Sequence, residues 1–391
     1  MKQDKFFFNT LLIIVPLYFL QGWLFDHGSL ISQGIAAIWL LIDLVYLYKY
    51  NNSKIWEPIG RSFALFWLLN TITWLLAPFF ASYSNHTVGW IGTYSVYKNI
   101  SLVFLTYFPF YYFSYKKSIG EKQLKKLVLL SLICLVAAFF ISARESAYNL
   151  GRDEVTNNGS YYLVVIIPLI GLFFDKFIEY IFIGGILVLV LIGAKRGALL
   201  CAAVEFFLFL YFYSKSTRIS RSPIRYVWLV IAVSIIVYIG KDIFQGTDYL
   251  QQRYDQTISG DSSLRDEIYS MAFYKFLNQN LFQQLFGNGM SSTLSILGGY
   301  AHQDWLELLI NNGLLGVILY LFIFINLLSY YRKVHKGLTP MECFILLSAT
   351  LGWILRSLYS MGYYSVETSF YVMAIGYVCS HHRKIKKVKV L

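Results

Sequence analysis

Apolar runs recur along almost the entire chain, and short polar breaks separate them. A helix crosses a bilayer core with about 17–25 predominantly apolar residues. On that measure the pattern predicts twelve spans, at about 6–24, 29–48, 60–81, 92–114, 124–143, 159–174, 176–193, 197–213, 225–241, 312–330, 341–361 and 366–381. The sixth to eighth are short and closely spaced. The predicted fold class is all-α: a polytopic integral membrane protein with one membrane domain over residues 1–391. One long polar interruption, residues 242–311, separates the ninth and tenth spans.

That interruption carries periodic stretches of its own. Leu264, Ile268, Met271, Ala272 and Tyr274 to Phe276 recur at helical spacing, which predicts an amphipathic helix lying in the membrane interface. Ser262 or Ser263 is placed to cap it. A second amphipathic start follows at Asp304-Trp305-Leu306-Glu307-Leu308-Leu309.

Composition agrees with the pattern. The chain is 57% hydrophobic and 14% charged, against about a quarter charged in a soluble domain. Its net charge of +12 raises the question of a nucleic-acid partner, but in a membrane protein the positive-inside bias is the better reading, and the distribution of the charge supports it. Lys2 and Lys5 precede the first span, and Lys49 and Lys54 follow the second. Lys116, Lys117, Lys122, Lys125 and Lys126 follow the fourth, and Lys215, Arg218, Arg221 and Arg225 the eighth. Arg332, Lys333 and Lys336 follow the tenth, and Arg383 to Lys389 close the chain. With twelve spans every cluster falls on one side, which the positive-inside bias makes the cytoplasm, with both termini inside. Cys134, Cys201, Cys343 and Cys379 all lie in apolar runs and have no metal-ligand spacing. The first apolar run is longer than a signal segment and lacks a cleavage pattern, so it reads as a retained helix.

Basic residues on the other side oppose that bias. Lys195 and Arg196 sit between two glycines in Gly193-Ala194-Lys195-Arg196-Gly197, where the backbone can turn tightly and a ligand can approach. The same pair could also snorkel at a helix end. Arg265 opens the amphipathic helix, where it either forms an anion site with free backbone N–H groups or pairs with Asp261 or Glu267. Arg356 lies within the eleventh span and faces a cavity or its neighbour Glu367. His302 is the single histidine of the long loop and the side chain best suited to move a proton near neutral pH. Arginines and a histidine without a metal-binding carboxylate cluster suggest an anionic substrate, such as a lipid-linked diphosphate, handled with no divalent ion.

Taken in order, Ala194-Lys195-Arg196-Gly197-Ala198-Leu199, Leu264-Arg265, Gly287-Asn288-Gly289, His302 with Trp305-Leu306, and Asn312-Gly313-Leu314-Leu315-Gly316 resemble the O-antigen ligase and polymerase superfamily. Thr156-Asn157-Asn158-Gly159 is similar to the Asn-containing stretch that opens the family's next span. The resemblance covers about residues 145–330; Gln303 departs from the Asn that commonly follows the histidine. It implies a metal-independent glycosyltransferase of the bacterial cytoplasmic membrane, without a cofactor. Its donor would be an undecaprenyl-diphosphate-linked oligosaccharide on the extracytoplasmic face. By that resemblance Arg196 and Arg265 hold the diphosphate, with Lys195, Arg356 and Asn158 completing the binding set, and His302 acts on the acceptor hydroxyl. The expected partners are the bilayer, a chain-length regulator and a flippase of the same pathway. Polymerase is the reading favoured; a ligase acting on lipid A core or another acceptor, and a polysaccharide flippase or transporter, are the alternatives. The two halves of the chain do not resemble each other, as transporter repeats do.

Overall fold

The computed structural model describes residues 2–24, 29–53, 57–77, 90–150, 157–173, 178–216 and 265–389. Every regular element among them is helical, as the apolar pattern predicts. Seven of the described helices are long and apolar enough to cross a membrane, and Ser160–Phe173 and Glu179–Ile192 are shorter apolar stretches. The predicted ninth span, 225–241, lies outside the described residues, as do Asp261 and the predicted caps Ser262 and Ser263.

In chain order the helices are α1 (Lys2–Leu24), α2 (Leu30–Asn52), α3 (Pro58–Leu76), α4 (Trp90–Leu105), α5 (Tyr107–Lys116) and α6 (Glu121–Leu150). Then come α7 (Ser160–Val164), α8 (Ile167–Ile170), α9 (Ile178–Ile192) and α10 (Arg196–Ser214). The last are α11 (Arg265–Leu277), α12 (Leu281–Phe286), α13 (Ser292–Leu297), α14 (Asp304–Val334), α15 (Pro340–Tyr359) and α16 (Ser369–Lys389).

Two predicted spans are broken, and a proline accounts for each break. Proline lacks an N–H and its ring collides with the carbonyl four residues back. Pro109 ends α4 at Leu105, splitting the predicted 92–114 span, and Pro168 ends α7 at Val164, leaving 159–174 as short helical pieces. The first break is anchored: the Thr106 hydroxyl donates to Asp43 Oδ2 at 3.0 Å and accepts from Trp39 Nε1 at 3.0 Å.

Between helices in lipid, packing shape and hydrogen bonds replace the hydrophobic drive. Here a buried aromatic cluster joins α3, α4, α14 and α15. Phe66 lies 4.6 Å from Phe104 and 5.3 Å from Tyr320, and Phe324 lies 5.6 Å from Trp353, between ring centroids. Asn312 of α14 donates to Asn70 Oδ1 at 3.3 Å and Thr73 Oγ1 at 3.2 Å on α3. At one end of the bundle Lys49 pairs with Asp4 at 3.2 Å, and His381 pairs with Glu342. Helix α14 is interrupted at Gly313, and its continuous part from Leu314 to Val334 runs roughly 30 Å at about 1.5 Å per residue, enough to cross a bilayer core.

Candidate functional site

The predicted tenth span, from 312, starts at a break in a longer helix that includes the predicted amphipathic start. Helix α14 starts at Asp304 and breaks at Gly313, where φ is 65° and ψ is −165°. The break releases two carbonyls. Ile310 O takes the Asn288 backbone N–H at 2.9 Å and its Nδ2 at 3.1 Å, and Asn311 O takes the Gly289 N–H at 3.1 Å. A Cβ on Gly313 would stand 2.5 Å from the Leu285 carbonyl carbon, and one on Gly287, itself at φ 82°, would strike the carbonyl of Asn311. Gly287-Asn288-Gly289 and Asn311-Asn312-Gly313 are therefore two halves of one lock, possible only without side chains at the contact.

Two buried carboxylates hold the segment that leads into α14. Glu307 accepts the Ala301 N–H on Oε1 at 2.6 Å and the Thr293 hydroxyl on Oε2 at 2.6 Å. Asp304 accepts the Gly362 N–H at 2.6 Å, the Tyr363 N–H at 3.1 Å and the Tyr320 hydroxyl at 2.6 Å. Trp305 Nε1 donates to Ser357 at 3.2 Å. Between these clamps stands His302, exposed and at φ 55°. A left-handed histidine is uncommon, and such conformations persist where surrounding contacts impose them. Partial burial, and then the charges of Lys195 and Arg265, hold its imidazole below the ordinary 6.5.

That electrostatic influence joins three distant segments. Lys195 is the last residue before α10, in an extended conformation that follows a left-handed Ala194. The turn is closely packed: a Cβ on Gly193 would strike Ser160 Oγ, and one on Gly197 would strike the Tyr161 hydroxyl. Arg196 is the first residue of α10 and is half-buried. Arg265 is the first residue of α11, with the Tyr269 side chain one turn further on.

The other expected site residues lie differently. Arg356 is 2% exposed, pairs with Glu367, and sits 5.0 Å from the centroid of the Tyr161 ring. It thus takes the pairing that its position near Glu367 also allowed. Its Nε and Nη1 have no hydrogen-bond partner among the described residues. Asn158 is exposed on the turn before α7, and its carbonyl accepts the Tyr161 N–H at 3.1 Å. The buried asparagine there is Asn157. Its N–H donates to Gly193 O at 2.9 Å, its Nδ2 to Phe139 O at 2.8 Å, and its Oδ1 accepts the Gly159 N–H at 2.8 Å. Asn157 thereby ties the Lys195 turn to α6.

Sequence reasoning missed Asn157, Asp304, Glu307 and Asn311 as builders of the site. A signal existed for the last three: positions 304, 307 and 311 share one face of a helix. A polar stripe of Asp, Glu and Asn running into a membrane span belongs against protein. Among the described residues, no group of three or more His, Cys, Asp or Glu side chains is placed to hold a metal ion. No protein-family model matches the chain, and no curated protein matches it either.

Proposed function

We propose that this chain joins undecaprenyl-diphosphate-linked oligosaccharide units into a surface polysaccharide, on the extracytoplasmic face of a bacterial cytoplasmic membrane. The observation that carries the reading is that helix α11, which opens on Arg265, packs against α14, and that the charges of Lys195 and Arg265 both bear on the His302 imidazole just before α14. Two cations beside a histidine held below its ordinary pKa supply an anion site and a neutral imidazole together.

In this reading the acceptor hydroxyl oxygen attacks the anomeric carbon of the donor sugar. The bond from that carbon to the diphosphate oxygen breaks, and the carrier diphosphate leaves with the electron pair. His302 takes the hydroxyl proton, a role that needs the unprotonated ring. Arg265, Lys195 and Arg196 hold the diphosphate and stabilise the charge that grows on it. Asn158 lies on the adjoining turn, and Arg356, buried against the Tyr161 ring and paired with Glu367, would contribute as a supporting charge rather than a direct contact. The positive-inside bias supports this placement of the site and of both termini.

The test is the polysaccharide ladder of a strain lacking the gene, complemented with wild type, Arg265→Ala or His302→Ala at equal membrane expression. The reading predicts loss of the ladder in both variants, with single repeat units still reaching their final lipid. Loss of all attached glycan while carrier-linked polymer accumulates outside would make the chain a ligase. Carrier-linked units retained inside would make it a transporter.

A further inference from the structure

Helices α11 and α12 display their side chains in the wrong sense for an element facing water. Ala272 and Phe276 pack inward, while Phe273, Leu277, Leu281, Phe282, Leu285 and Phe286 are each at least 40% exposed. Four amide side chains of the same segment, Asn278, Asn280, Gln283 and Gln284, bond to its own backbone. Asn280 and Gln283 form a reciprocal cap at the start of α12. Gln284 Nε2 donates to the carbonyls of Leu277 and Gln279, each at 3.2 Å, and closes the end of α11. Lys275, Asn278 and Asn280 are also exposed, but the large side chains that remain outside are mostly apolar, with the Phe282 and Phe286 rings 5.0 Å apart. A soluble surface rarely leaves such a patch uncovered.

The Gly287–Gly313 lock fixes the height of this face. Leu285 touches the break at Gly313, and the next residue, Leu314, begins the exposed stripe of α14. Leu314, Ile318, Leu321, Phe322 and Ile325 recur at helical spacing on that stripe. In a span, such a stripe faces acyl chains. The apolar face of the hairpin therefore continues the lipid-facing stripe beyond the break. Asp266 and Glu267, exposed on the first turn of α11, mark the opposite, wet end.

We propose that the α11–α12 hairpin is seated in the adjacent membrane leaflet, with Phe282 and Leu285 among the acyl chains and Asp266 in water. Interfacial helices bury their apolar face about 5–10 Å below the headgroups. This seating would bring Arg265, the first residue of α11, to the depth of lipid phosphates. It stands independently of the polymerase reading, because it needs the bilayer and no sugar.

The test uses the full chain in nanodiscs of phosphatidylethanolamine and phosphatidylglycerol. Cys134 is the half-buried native cysteine and is replaced by Ser; the other three are buried. Spin labels are placed at Phe282→Cys, Leu285→Cys and Asp266→Cys, and their collision rates with oxygen and with a water-soluble nickel chelate are measured. The proposal predicts high oxygen and low nickel collision at 282 and 285, with the reverse at 266. Equal nickel access at all three positions would put the hairpin in water and overturn it. Low access to both reagents at 282 and 285, relieved on dilution, would mean that a second copy covers the face and would overturn it equally. Independently of any substitution, a phospholipid with a photoreactive acyl chain should label the unaltered 281–286 segment. Labelling confined to the spans would contradict the seating.

Discussion

Replacing Glu307 with Ala should loosen His302 specifically. All the groups involved are buried: the Glu307 carboxylate, the Ala301 amide and the Thr293 hydroxyl. The substitution strands two donors that now reach Glu307 at 2.6 Å each. A buried donor without a partner costs about 1–3 kcal/mol, so the loss is about 2–6 kcal/mol, concentrated on the segment that precedes α14. Glu307→Gln keeps an acceptor for Ala301 but presents an amide to Thr293, and should cost roughly half as much. The assay is hydrogen exchange of the Ala301 amide in nanodiscs, with Glu307→Gln alongside. A loss of about 2 kcal/mol corresponds to exchange about 30-fold faster. Transfer activity should fall with it, since His302 follows Ala301 directly. Unchanged exchange at Ala301 in Glu307→Ala would refute the argument that this carboxylate holds the histidine turn.

Three further outcomes follow from the geometry. The His302 ring is held below 6.5, so it is neutral at pH 7, and transfer should decline only as pH falls through that lowered value. Lys195→Ala removes one cation, lets the pKa rise towards 6.5, and should move the acid limb of the rate profile to higher pH; an unmoved limb contradicts the assignment. Glu367→Ala strands the Arg356 guanidinium, 2% exposed, at a cost of about 3–5 kcal/mol, read as a lower midpoint of thermal unfolding in detergent. Adding Arg356→Met should restore much of it. Gly313→Ala places a Cβ 2.5 Å from backbone at φ 65° and should cost more than about 2 kcal/mol. Gly34→Ala, with nothing within 4 Å of its Cβ, should be neutral or stabilising on the same assay.

The legible parts of the sequence were those governed by local pattern. Unbroken apolar runs gave α2, α10 and α15 nearly at their observed bounds, because length and hydropathy alone decide whether a helix can span. The breaks at Leu105 and Val164 were also written locally, in Pro109 and Pro168, but a window that scores only apolarity passes over a proline. Gly313 was harder. Glycine inside an apolar run costs about 1 kcal/mol relative to Ala and is tolerated there, so it does not by itself announce a break. Only the approach of Leu285 and Gly287 makes the break visible, and that approach is tertiary. The choice between Asn157 and Asn158 likewise turned on contacts with Phe139 and Gly193, made across the fold. On α11 the expected stripe divides: its Ala272 and Phe276 are buried, while its Met271 and Tyr274 are exposed. Both sets have helical spacing, and in a membrane protein periodicity does not say which face meets lipid. The residues proposed to carry the chemistry were easier to find than their supports. Lys195, Arg265 and His302 stood out as polar groups where topology disfavoured them, whereas Asp304 and Glu307 looked like the wet face of an ordinary amphipathic turn.

The most direct test of the central claim uses the purified chain in nanodiscs, supplied with undecaprenyl-diphosphate-linked repeat units and followed by lipid chromatography in the presence of a chelator. Wild type should lengthen the glycan and release one carrier diphosphate for each new glycosidic bond, and His302→Ala should do neither while remaining folded. Lengthening that survives His302→Ala, or a wild-type protein that leaves the carrier-linked units unchanged, would contradict the account.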